Sequence, residues 1–354
     1  MELRMKKSLI CKNIQNVQID ENKVRSYLPK VGDVALFKVK GIGKHTRIQN
    51  HRGKNQYLFP GDYILCAFGN RYATNQIEGY VPEEIHDEYH ILGQGGVVGI
   101  VKSMYKPIEE KGPTTLELIG YATNPFGRVL NTLAQSSTLK EAAEKNAWDS
   151  KIILSLGSAM DSGKTTTAGY LCRGISMAGK QVAYMKLTGT VYTKDASFAI
   201  DCGAHTSIDF SHFGFPSTYM CEQEELLLLF EALLGSLSQK HYDYIVVEIA
   251  DGLLQRETNM LLQDPQFMRH IDDVIFSAGD SLGVISGLEV LNKWGINPFA
   301  VSGRFTARPL LIEEVASCND IDVLRLEDLE KPEVLNYFEY AKAYVQQKIA
   351  VQAA

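Results

Sequence analysis

The most informative segment of this 354-residue chain is Gly157-Ser158-Ala159-Met160-Asp161-Ser162-Gly163-Lys164-Thr165-Thr166. An apolar run typical of a strand, residues 151–156, comes before it, and a segment with helical character, residues 164–178, comes after it. A turn between a buried strand and a helix N-terminus directs several backbone N–H groups, and the positive end of the helix dipole, at one point. The sequence therefore predicts a phosphate-binding loop at residues 157–166.

The residue types in this loop favour a nucleoside triphosphate with Mg²⁺. Gly163 lets the backbone approach phosphate oxygens closely, Lys164 can reach the β- and γ-phosphates, and the Thr165 hydroxyl is a Mg²⁺ ligand. Compared with the motif G-x-x-x-x-G-K-[ST], Ser158 stands at the first glycine position and Gly157 lies one residue earlier. A chance Gly-Lys-Thr turn is the alternative, and the flanking strand and helix argue against it. We expect ATP or GTP, with Mg²⁺, to bind this loop.

A second Mg²⁺ ligand is expected from an acidic residue at the end of a buried strand. Residues 242–250 read as such a strand, with the apolar run Ile245-Val246-Val247 directly before Glu248. Ligands bind at the carboxyl ends of strands in open α/β sheets, so Glu248 is predicted to face the phosphates. Asp251 fits the ordinary role of an acid that caps the next helix. We therefore assign Glu248, together with Thr165, to the metal site.

The C-terminal part of the chain alternates strands and helices. Apolar strands are predicted at residues 151–156, 181–187, 242–250, 274–277, 299–302 and 323–326, and helices at 164–178, 222–237, 281–294 and from Pro332 to about Gln347. Continuous apolar strands alternating with helices indicate a mostly parallel sheet covered on both faces. Residues 151–354 are therefore predicted to be a three-layer P-loop NTP-binding α/β domain.

The N-terminal third has the pattern of a small β domain. Short strand-like runs lie at residues 34–39, 46–49, 63–68, 76–80, 96–103 and 115–121. Turn signals such as Pro60-Gly61-Asp62 separate them, a spacing typical of a barrel or sandwich. We predict a small all-β, barrel-like domain over residues 1–128. Residues 129–150 are predicted to be a linker with a short helix that starts at the capping box Thr138-Leu139-Lys140-Glu141.

Composition limits the class of protein. Hydrophobic residues make up 45% of the chain and charged residues 22%, which is ordinary for a globular protein with a core. No apolar run approaches the roughly 20 residues that span a membrane, and the apolar region near the N-terminus is too short for a secretory signal. The six cysteines include no C-x-x-C pair, so neither a zinc site nor a redox motif is predicted. These features predict a cytoplasmic protein without a membrane partner.

Charge is spread unevenly along the chain. The net charge is −6, but residues 1–150 hold 20 Lys and Arg against 16 Asp and Glu, whereas the remainder holds 16 against 26. Residues 34–61 contain no acidic residue, and their basic residues are Lys38, Lys40, Lys44, Arg47, Arg52 and Lys54. A basic barrel can bind a nucleic acid backbone or an anionic ligand. Because aromatic residues are not interleaved with the basic ones, a solvated face is favoured over nucleic acid binding.

Residues 152 to about 309 resemble dethiobiotin synthetase and its relatives in the SIMIBI class of P-loop proteins. The family's Gly-x-x-x-x-x-Gly-Lys-Thr is matched by Gly157 through Thr165, and its "GK-x-V" turn into a strand by Gly179-Lys180-Gln181-Val182. In the family, a lysine that ends this strand holds substrate and the transferring phosphate, so the resemblance implies that role for Lys186. Thr188 and Gly189 fall where the family has a small, polar substrate loop.

The same resemblance implies a metal ligand and an oligomeric state. An aspartate downstream of the lysine belongs to the family's Mg²⁺ site, and Asp195 is the best match, with Asp201 second. Glu248 matches the family's acid after the apolar strand. Related P-loop proteins often work as dimers with their sites near the two-fold axis, so a homodimer is expected.

Some positions depart from the family pattern. Ser302-Gly303 stand where an adenine-reading asparagine is expected, so the choice between adenine and guanine stays open. Residues 212–217 differ from the family's substrate loop, and the N-terminal β domain has no counterpart in it. ATP-dependent amide-forming proteins and the P-loop partner protein of molybdopterin nucleotide assembly match about as well.

These features together predict NTP-dependent phosphoryl chemistry on a small molecule, with Lys164, Lys186 and Glu248 as catalytic residues. A ligase would phosphorylate a carboxylate or carbamate and let an amine displace the phosphate, whereas a kinase would stop after phosphoryl transfer. The alternative is a nucleotide-switched NTPase that binds a macromolecular partner, such as a nucleic acid, through the N-terminal β domain.

Overall fold

A computed structural model describes residues 5–145 and 149–338, which group into two compact units. Among the described residues, the first unit lies within Met1–Glu141, Thr188–Thr193 and Phe210–Glu222, and the second lies within Ala142–Leu187, Lys194–Asp209 and Gln223–Ala354. The sequence predicts a contiguous division at residues 128 and 151. In the structure, two short segments from the C-terminal half of the sequence belong instead to the first unit.

The first unit is built on short strands. They are β1 (Met5–Lys7), β2 (Gln18–Asp20), β3 (Val34–Gly41), β4 (Arg47–Gln49), β5 (Asn55–Tyr57), β6 (Tyr63–Phe68), β7 (Ile77–Tyr80), β8 (Tyr89–Gly93), β9 (Val97–Met104) and β10 (Thr115–Thr123). A single-turn helix, α1 (Lys106–Glu109), lies before β10, and α2 (Ser136–Ala143) follows it. Each strand run predicted in this part of the chain is therefore present, and β1, β2, β5 and β8 are additional.

Five strands of the first unit close into a barrel. β6 pairs with β3, β3 with β10, β10 with β8 and β8 with β9, all antiparallel, and β9 returns to β6 in a parallel pairing. Closure pairs the backbone groups that would otherwise form exposed edges. The prediction of a small, β-rich, barrel-like domain at the N-terminus is confirmed.

Aromatic residues fill the barrel because alternate side chains of each strand point inward. Phe37, Phe68, Tyr89 and Tyr121 are fully buried, and their ring centroids lie 5.5–6.0 Å apart. Three of these four ring contacts are edge-to-face, an arrangement that the ring quadrupoles favour.

A buried histidine adds a polar group to the first unit. His45 Nδ1 lies 3.0 Å from the carbonyl oxygen of Ile91, and its Nε2 lies 3.4 Å from Arg71 Nη1. Burial, reinforced by the Arg71 charge, lowers the pKa of His45 from 6.5 to about 3. His45 is therefore neutral at physiological pH.

Two segments that follow strands of the second unit pack inside the first. The side chain of Gln49 holds Thr193 from both ends: its amide donates to Thr193 Oγ1 at 2.8 Å, and its oxygen accepts from Thr193 N at 3.1 Å. Thr190 and Ser217 pair as an isolated antiparallel bridge. A Cβ at Gly95 would lie 2.1 Å from the carbonyl oxygen of Val191, so glycine is required there. The segment Thr188–Thr193 is thus held by β4 and by the turn before β9.

The second unit is a parallel sheet with helical crossovers. Its strands are β11 (Lys151–Gly157), β12 (Val182–Lys186), β13 (Thr206–Asp209), β14 (Tyr244–Glu248), β15 (Asp273–Ser277), β16 (Ala300–Ser302) and β17 (Asp322–Val323). Its helices are α3 (Lys164–Met177), α4 (Lys194–Asp201), α5 (Gln223–Leu237), α6 (Arg256–Leu262), α7 (Pro265–Met268), α8 (Ser281–Lys293), α9 (Pro309–Cys318) and α10 (Leu326–Leu329). The strand order is β13-β12-β14-β11-β15-β16-β17, and each of these pairings is parallel.

This topology explains the apolar strands and positions the site. All five residues of β14 and all five of β15 are buried, because strands in the middle of a parallel sheet are covered on both faces. The carboxyl ends of parallel strands meet at one edge, so the loop after β11 lies beside the ends of β14 and β15. The prediction of a P-loop α/β domain with a mostly parallel sheet is confirmed.

Some local predictions differ from the structure. The helix predicted to start at the capping box beginning with Thr138 starts earlier, at Ser136, so this box does not form its N-terminus. β13 was not predicted, because it is an edge strand with one buried residue among four and lacks an apolar run. The last predicted helix begins as the 3₁₀ turn Pro332–Val334, and its part beyond residue 338 lies outside the described residues. In the described part of the chain, no helix combines the length and apolarity needed to cross a bilayer.

Candidate nucleotide-binding site

The predicted phosphate-binding loop joins β11 to α3 in a conformation that requires its glycines. Gly163 has φ 108° and Asp161 has φ 62°, both in the left-handed region. A Cβ at Gly157 would lie 2.3 Å from Ser162 Oγ and 2.5 Å from Lys164 Cγ. The loop therefore folds back tightly over the start of α3. The first N–H groups of α3 have no hydrogen-bond partner within the helix, and the turn directs them to the concave side of the loop.

Neighbouring strand-end loops hold the phosphate-binding loop in place. The N–H of Ser158 donates to the carbonyl of Ser277 at 2.9 Å, and the N–H of Arg304 donates to the carbonyl of Ser162 at 3.0 Å. Gly252 and Gly303 approach it closely. A Cβ at Gly252 would lie 2.3 Å from Ser158 O, and one at Gly303 would lie 2.5 Å from Ser162 O. The loop is thus fixed from both sides before any phosphate binds, which lowers the entropic cost of binding.

Lys164 places its ammonium inside the curve of the loop. It is buried, and Nζ donates to the carbonyl of Ala159 at 2.8 Å and to Ser162 Oγ at 3.4 Å. Burial lowers the pKa of Lys164 below 10.5, and the opposing attraction of Glu248 offsets only part of this effect. Both hydrogen-bond partners of this ammonium are neutral oxygens, so a phosphate in the loop would add a direct ionic partner.

Glu248 ends β14 and accepts hydrogen bonds from three side chains on two elements, α3 and β12. Its Oε1 accepts from Thr165 Oγ1 at 2.8 Å and from Lys186 Nζ at 3.4 Å, and its Oε2 accepts from the Tyr184 hydroxyl at 2.6 Å. The side chain is 2% exposed. The structure therefore brings Thr165 and Glu248, both assigned to the metal site from sequence, into direct contact.

Lys186 connects Glu248 to Asp195. Its Nζ donates to Asp195 Oδ2 as well as to Glu248, so one ammonium bridges two carboxylates. Burial lowers the pKa of Lys186, but the nearby charges of Glu248 and Asp195 outweigh this effect and raise it above 10.5. Lys186 therefore stays charged. The charge of Lys186 also lowers the pKa of Lys164, so the two ammonium groups are close enough to repel each other.

The donor atoms suit Mg²⁺ better than a softer metal. Mg²⁺ binds oxygen ligands and, in nucleotide sites, uses one or two carboxylates together with phosphates and waters. Thr165 and Glu248 supply a hydroxyl and a carboxylate 2.8 Å apart. Asp195 supplies a second carboxylate, which shares the ammonium of Lys186 with Glu248. Across the residues that the structure describes, no three His, Cys, Asp or Glu side chains form a metal cage. Because Thr165, Glu248 and Asp195 supply oxygen donors but fewer than the six that Mg²⁺ requires, the set fits a metal held jointly by protein and phosphate.

Other residues named from the sequence lie elsewhere. Asp201 is exposed at the end of α4 and, among the described residues, makes no hydrogen bond or ion pair with Lys186 or Glu248. Thr188 and Gly189 follow Lys186 closely but belong to the first unit, where Gly189 N donates to Thr218 Oγ1 at 2.9 Å. Of the two aspartates considered for the metal, the structure brings Asp195 to the cluster.

Several residues of the site were missed by sequence reasoning. Tyr184 is fully buried on β12, two residues before Lys186, and burial together with the Glu248 charge raises its pKa well above 10. It reads as an ordinary core aromatic, and only the pairing of β12 with β14 shows that its hydroxyl reaches Glu248. Gly252 and Gly303 carry no motif either, although a glycine just after a strand end is a weak signal for close backbone approach.

Similarity to known proteins is found among solved structures. No family model and no curated protein matches the chain. Among solved structures, it is similar to the signal recognition particle receptor FtsY from Elizabethkingia anophelis, with 18% identity over 57% of this chain and 70% of that one and a TM-score of 0.35. FtsY from Physcomitrella patens chloroplast gives a TM-score of 0.37 at 15% identity, covering 57% and 71% of the two chains.

The kinase domain of the Escherichia coli tyrosine kinase ETK is similar at 15% identity, over 44% of this chain and 66% of that one, with a TM-score of 0.32. At such scores, these similarities do not decide what the chain does. Its own parallel sheet, the loop after β11 and the acid at the end of β14 carry the assignment. The second unit has a P-loop NTPase fold.

Proposed function

We propose that the second unit binds a nucleoside triphosphate with Mg²⁺ and transfers its γ-phosphoryl group to a small molecule, as a kinase or a ligase. The observation that carries the proposal is the cluster of Lys164, Thr165, Lys186, Asp195 and Glu248 at the carboxyl edge of the sheet. Such a cluster combines the phosphate-binding, metal-binding and charge-neutralising groups that phosphoryl transfer uses.

In this proposal the residues act mainly by position and charge. The loop N–H groups and Lys164 hold the β- and γ-phosphates, and Lys186 neutralises charge that spreads over the transferred group. Thr165, Glu248 and Asp195 would hold the Mg²⁺, which when bound neutralises phosphate charge. The bond between the γ-phosphorus and the β–γ bridging oxygen breaks as a bond to an acceptor oxygen forms. Tyr184 keeps the Glu248 carboxylate oriented through its 2.6 Å hydrogen bond.

A small-molecule acceptor is supported by the second lysine. Lys186 side-chain exposure is 15%, so its ammonium lies at a restricted site rather than on an open surface. The resemblance to dethiobiotin synthetase implies that Lys186 contacts both the substrate and the transferring phosphate. A carboxylate, carbamate or hydroxyl brought to Lys186 would meet a charge already in place.

The proposal is tested by nucleoside diphosphate formation from ATP and GTP with Mg²⁺, with and without a deproteinised metabolite extract. Stimulation by the extract is expected, and Lys164→Ala should abolish it together with nucleotide binding. Lys293→Ala is the matched control, because Lys293 is exposed at the far end of α8. A folded Lys164→Ala protein with unchanged ATP and GTP affinity would overturn the proposed site. Stimulation by nucleic acid alone would favour the nucleotide-switch alternative.

A homodimer is proposed as the assembly. Three leucines are largely exposed on segments that follow β14, β15 and β16: Leu254 is 84% exposed, Leu282 70% and Leu310 72%. Strand-end segments with exposed leucines at the nucleotide edge of the sheet suit contact with a second copy of the chain. Sedimentation equilibrium with and without nucleotide measures this. A monomer under all conditions would contradict it.

A further inference from the structure

A cavity of about 350 Å³ opens beside the phosphate-binding loop. Gly163 and Thr166 from the loop and the first turn of α3 form one wall, and the segment after β16 and the start of α10 form the others. This volume is in the range of small-molecule sites, which begin at about 300 Å³. Because Gly163 and Thr166 belong both to the phosphate-binding loop and to the cavity wall, a nucleotide with its phosphates in the loop would place its base and ribose here.

The cavity is rimmed by arginines. Arg304, Arg308 and Arg325 line it, together with a single acid, Glu327, and all four are exposed side chains. Within residues 5–145 and 149–338, none of these arginines forms an ion pair with a carboxylate. Arg304 contacts the loop itself, since its Nη1 lies 3.5 Å from the carbonyl oxygen of Asp161. Three guanidinium groups and one carboxylate are therefore available to a ligand.

This set of groups distinguishes the two purines. Guanine presents two acceptors, O6 and N7, on one edge and an amino donor, N2, on another, whereas adenine presents the donor N6 beside N7. An arginine binds the O6 and N7 acceptors of guanine with two hydrogen bonds, but it would face the N6 donor of adenine. A carboxylate accepts from the guanine amino group. The rim of this cavity therefore carries the two kinds of group, guanidinium and carboxylate, that bind the two edges of guanine.

We propose that the cavity binds a guanine base and that the nucleotide of this protein is GTP. Arg308 donates to the O6 and N7 edge, and Glu327 accepts from the amino group. This inference rests on the proposed function, because the phosphate-binding loop must hold the phosphates for the base to enter the cavity. A bidentate arginine contact distinguishes bases by about 10- to 100-fold in affinity, so GTP should bind at least about tenfold more tightly than ATP.

Binding of GTP, ITP and ATP to the full-length protein with Mg²⁺, measured by isothermal titration calorimetry, tests the proposal. ITP lacks the amino group of guanine, so it should bind about tenfold more weakly than GTP to the wild type. In Glu327→Gln the difference between GTP and ITP should shrink, and in Arg308→Met the difference between GTP and ATP should shrink. Glu313→Gln is the matched control, because Glu313 is an exposed acid on α9 outside the cavity lining.

The outcomes separate this inference from the proposed function. Equal affinities for GTP and ATP, both lost in Lys164→Ala, would overturn the guanine assignment and leave the nucleotide site standing. A preference for GTP that neither Glu327→Gln nor Arg308→Met changes would overturn the assignment of these residues. If no nucleotide binds at all, the proposed function fails together with the inference.

Discussion

Glu248→Gln is the substitution whose consequences the structure defines most fully. The carboxylate accepts from Thr165 at 2.8 Å, from Tyr184 at 2.6 Å and from Lys186 at 3.4 Å, and glutamine keeps its volume but only one accepting oxygen. One acceptor is lost, and Lys186 keeps Asp195 as its remaining charge partner. Hydrogen bonds to charged groups contribute about 1.5–3 kcal/mol each, so we expect the free energy of unfolding to fall by about 2–3 kcal/mol.

The effect on activity should be larger than the effect on nucleotide affinity. The loop and Lys164 hold the phosphates, so nucleotide affinity should change by less than about threefold. Loss of the metal ligand should lower turnover by about 100-fold, which corresponds to an increase of about 3 kcal/mol in the activation barrier. Stability is measured by chemical denaturation, nucleotide affinity by calorimetry, and turnover by nucleoside diphosphate formation. Tyr184→Phe removes one hydrogen bond to the same carboxylate without changing its charge, so it should lower stability by about 1.5–3 kcal/mol but lower turnover far less than Glu248→Gln does. A folded Glu248→Gln protein with full turnover would remove Glu248 from the site.

Three further predictions follow from other residues. A Cβ at Gly252 would lie 2.3 Å from the backbone of the phosphate-binding loop, so Gly252→Ala should weaken nucleotide binding by about tenfold or more in calorimetry. A Cβ at Gly279 would have nothing within 4 Å, so Gly279→Ala should leave the affinity unchanged. Equal nucleotide affinities of the two variants would contradict the close approach of Gly252 to the loop. The pKa of His45 is lowered from 6.5 to about 3, so the unfolded chain binds a proton first and stability falls as pH drops from 6.5 toward 3. Between pH 7 and pH 5 this contributes a loss of about 2 kcal/mol that His45→Gln should lack in urea unfolding, and identical pH dependence in both proteins would refute it. Burial lowers the pKa of Lys164, so nucleotide affinity should decrease as pH rises through that pKa, and binding should then take up a proton. Calorimetry in two buffers of different ionisation enthalpy measures this proton uptake. The same binding enthalpy in both buffers would mean no uptake and would contradict the prediction.

Local sequence was sufficient for the parts of the fold and site that depend on neighbouring residues. The turn at residues 157–166 is defined by Gly163 and Lys164 between a strand and a helix, and the apolar run before Glu248 marks a buried strand end. Both signals arise from short-range requirements: glycine for the backbone conformation, and continuous apolar residues for a strand covered on both faces. The proposed roles of Lys164, Thr165 and Glu248 were therefore predictable, as was the choice of a parallel sheet.

Contacts between residues far apart in the sequence became known only from the folded chain. The pairing of β12 with β14 brings Tyr184 and Lys186 to Glu248, and the start of α4 brings Asp195 rather than Asp201 to the same lysine. The arginines of the cavity are separated in sequence from the loop by more than 130 residues, and no local pattern relates them to it. The segment Thr188–Thr193 follows a strand of the second unit yet belongs to the first. A local sequence pattern indicates whether a segment needs burial, a turn or a particular backbone conformation. Which other segment packs against it depends on the packing of the whole chain.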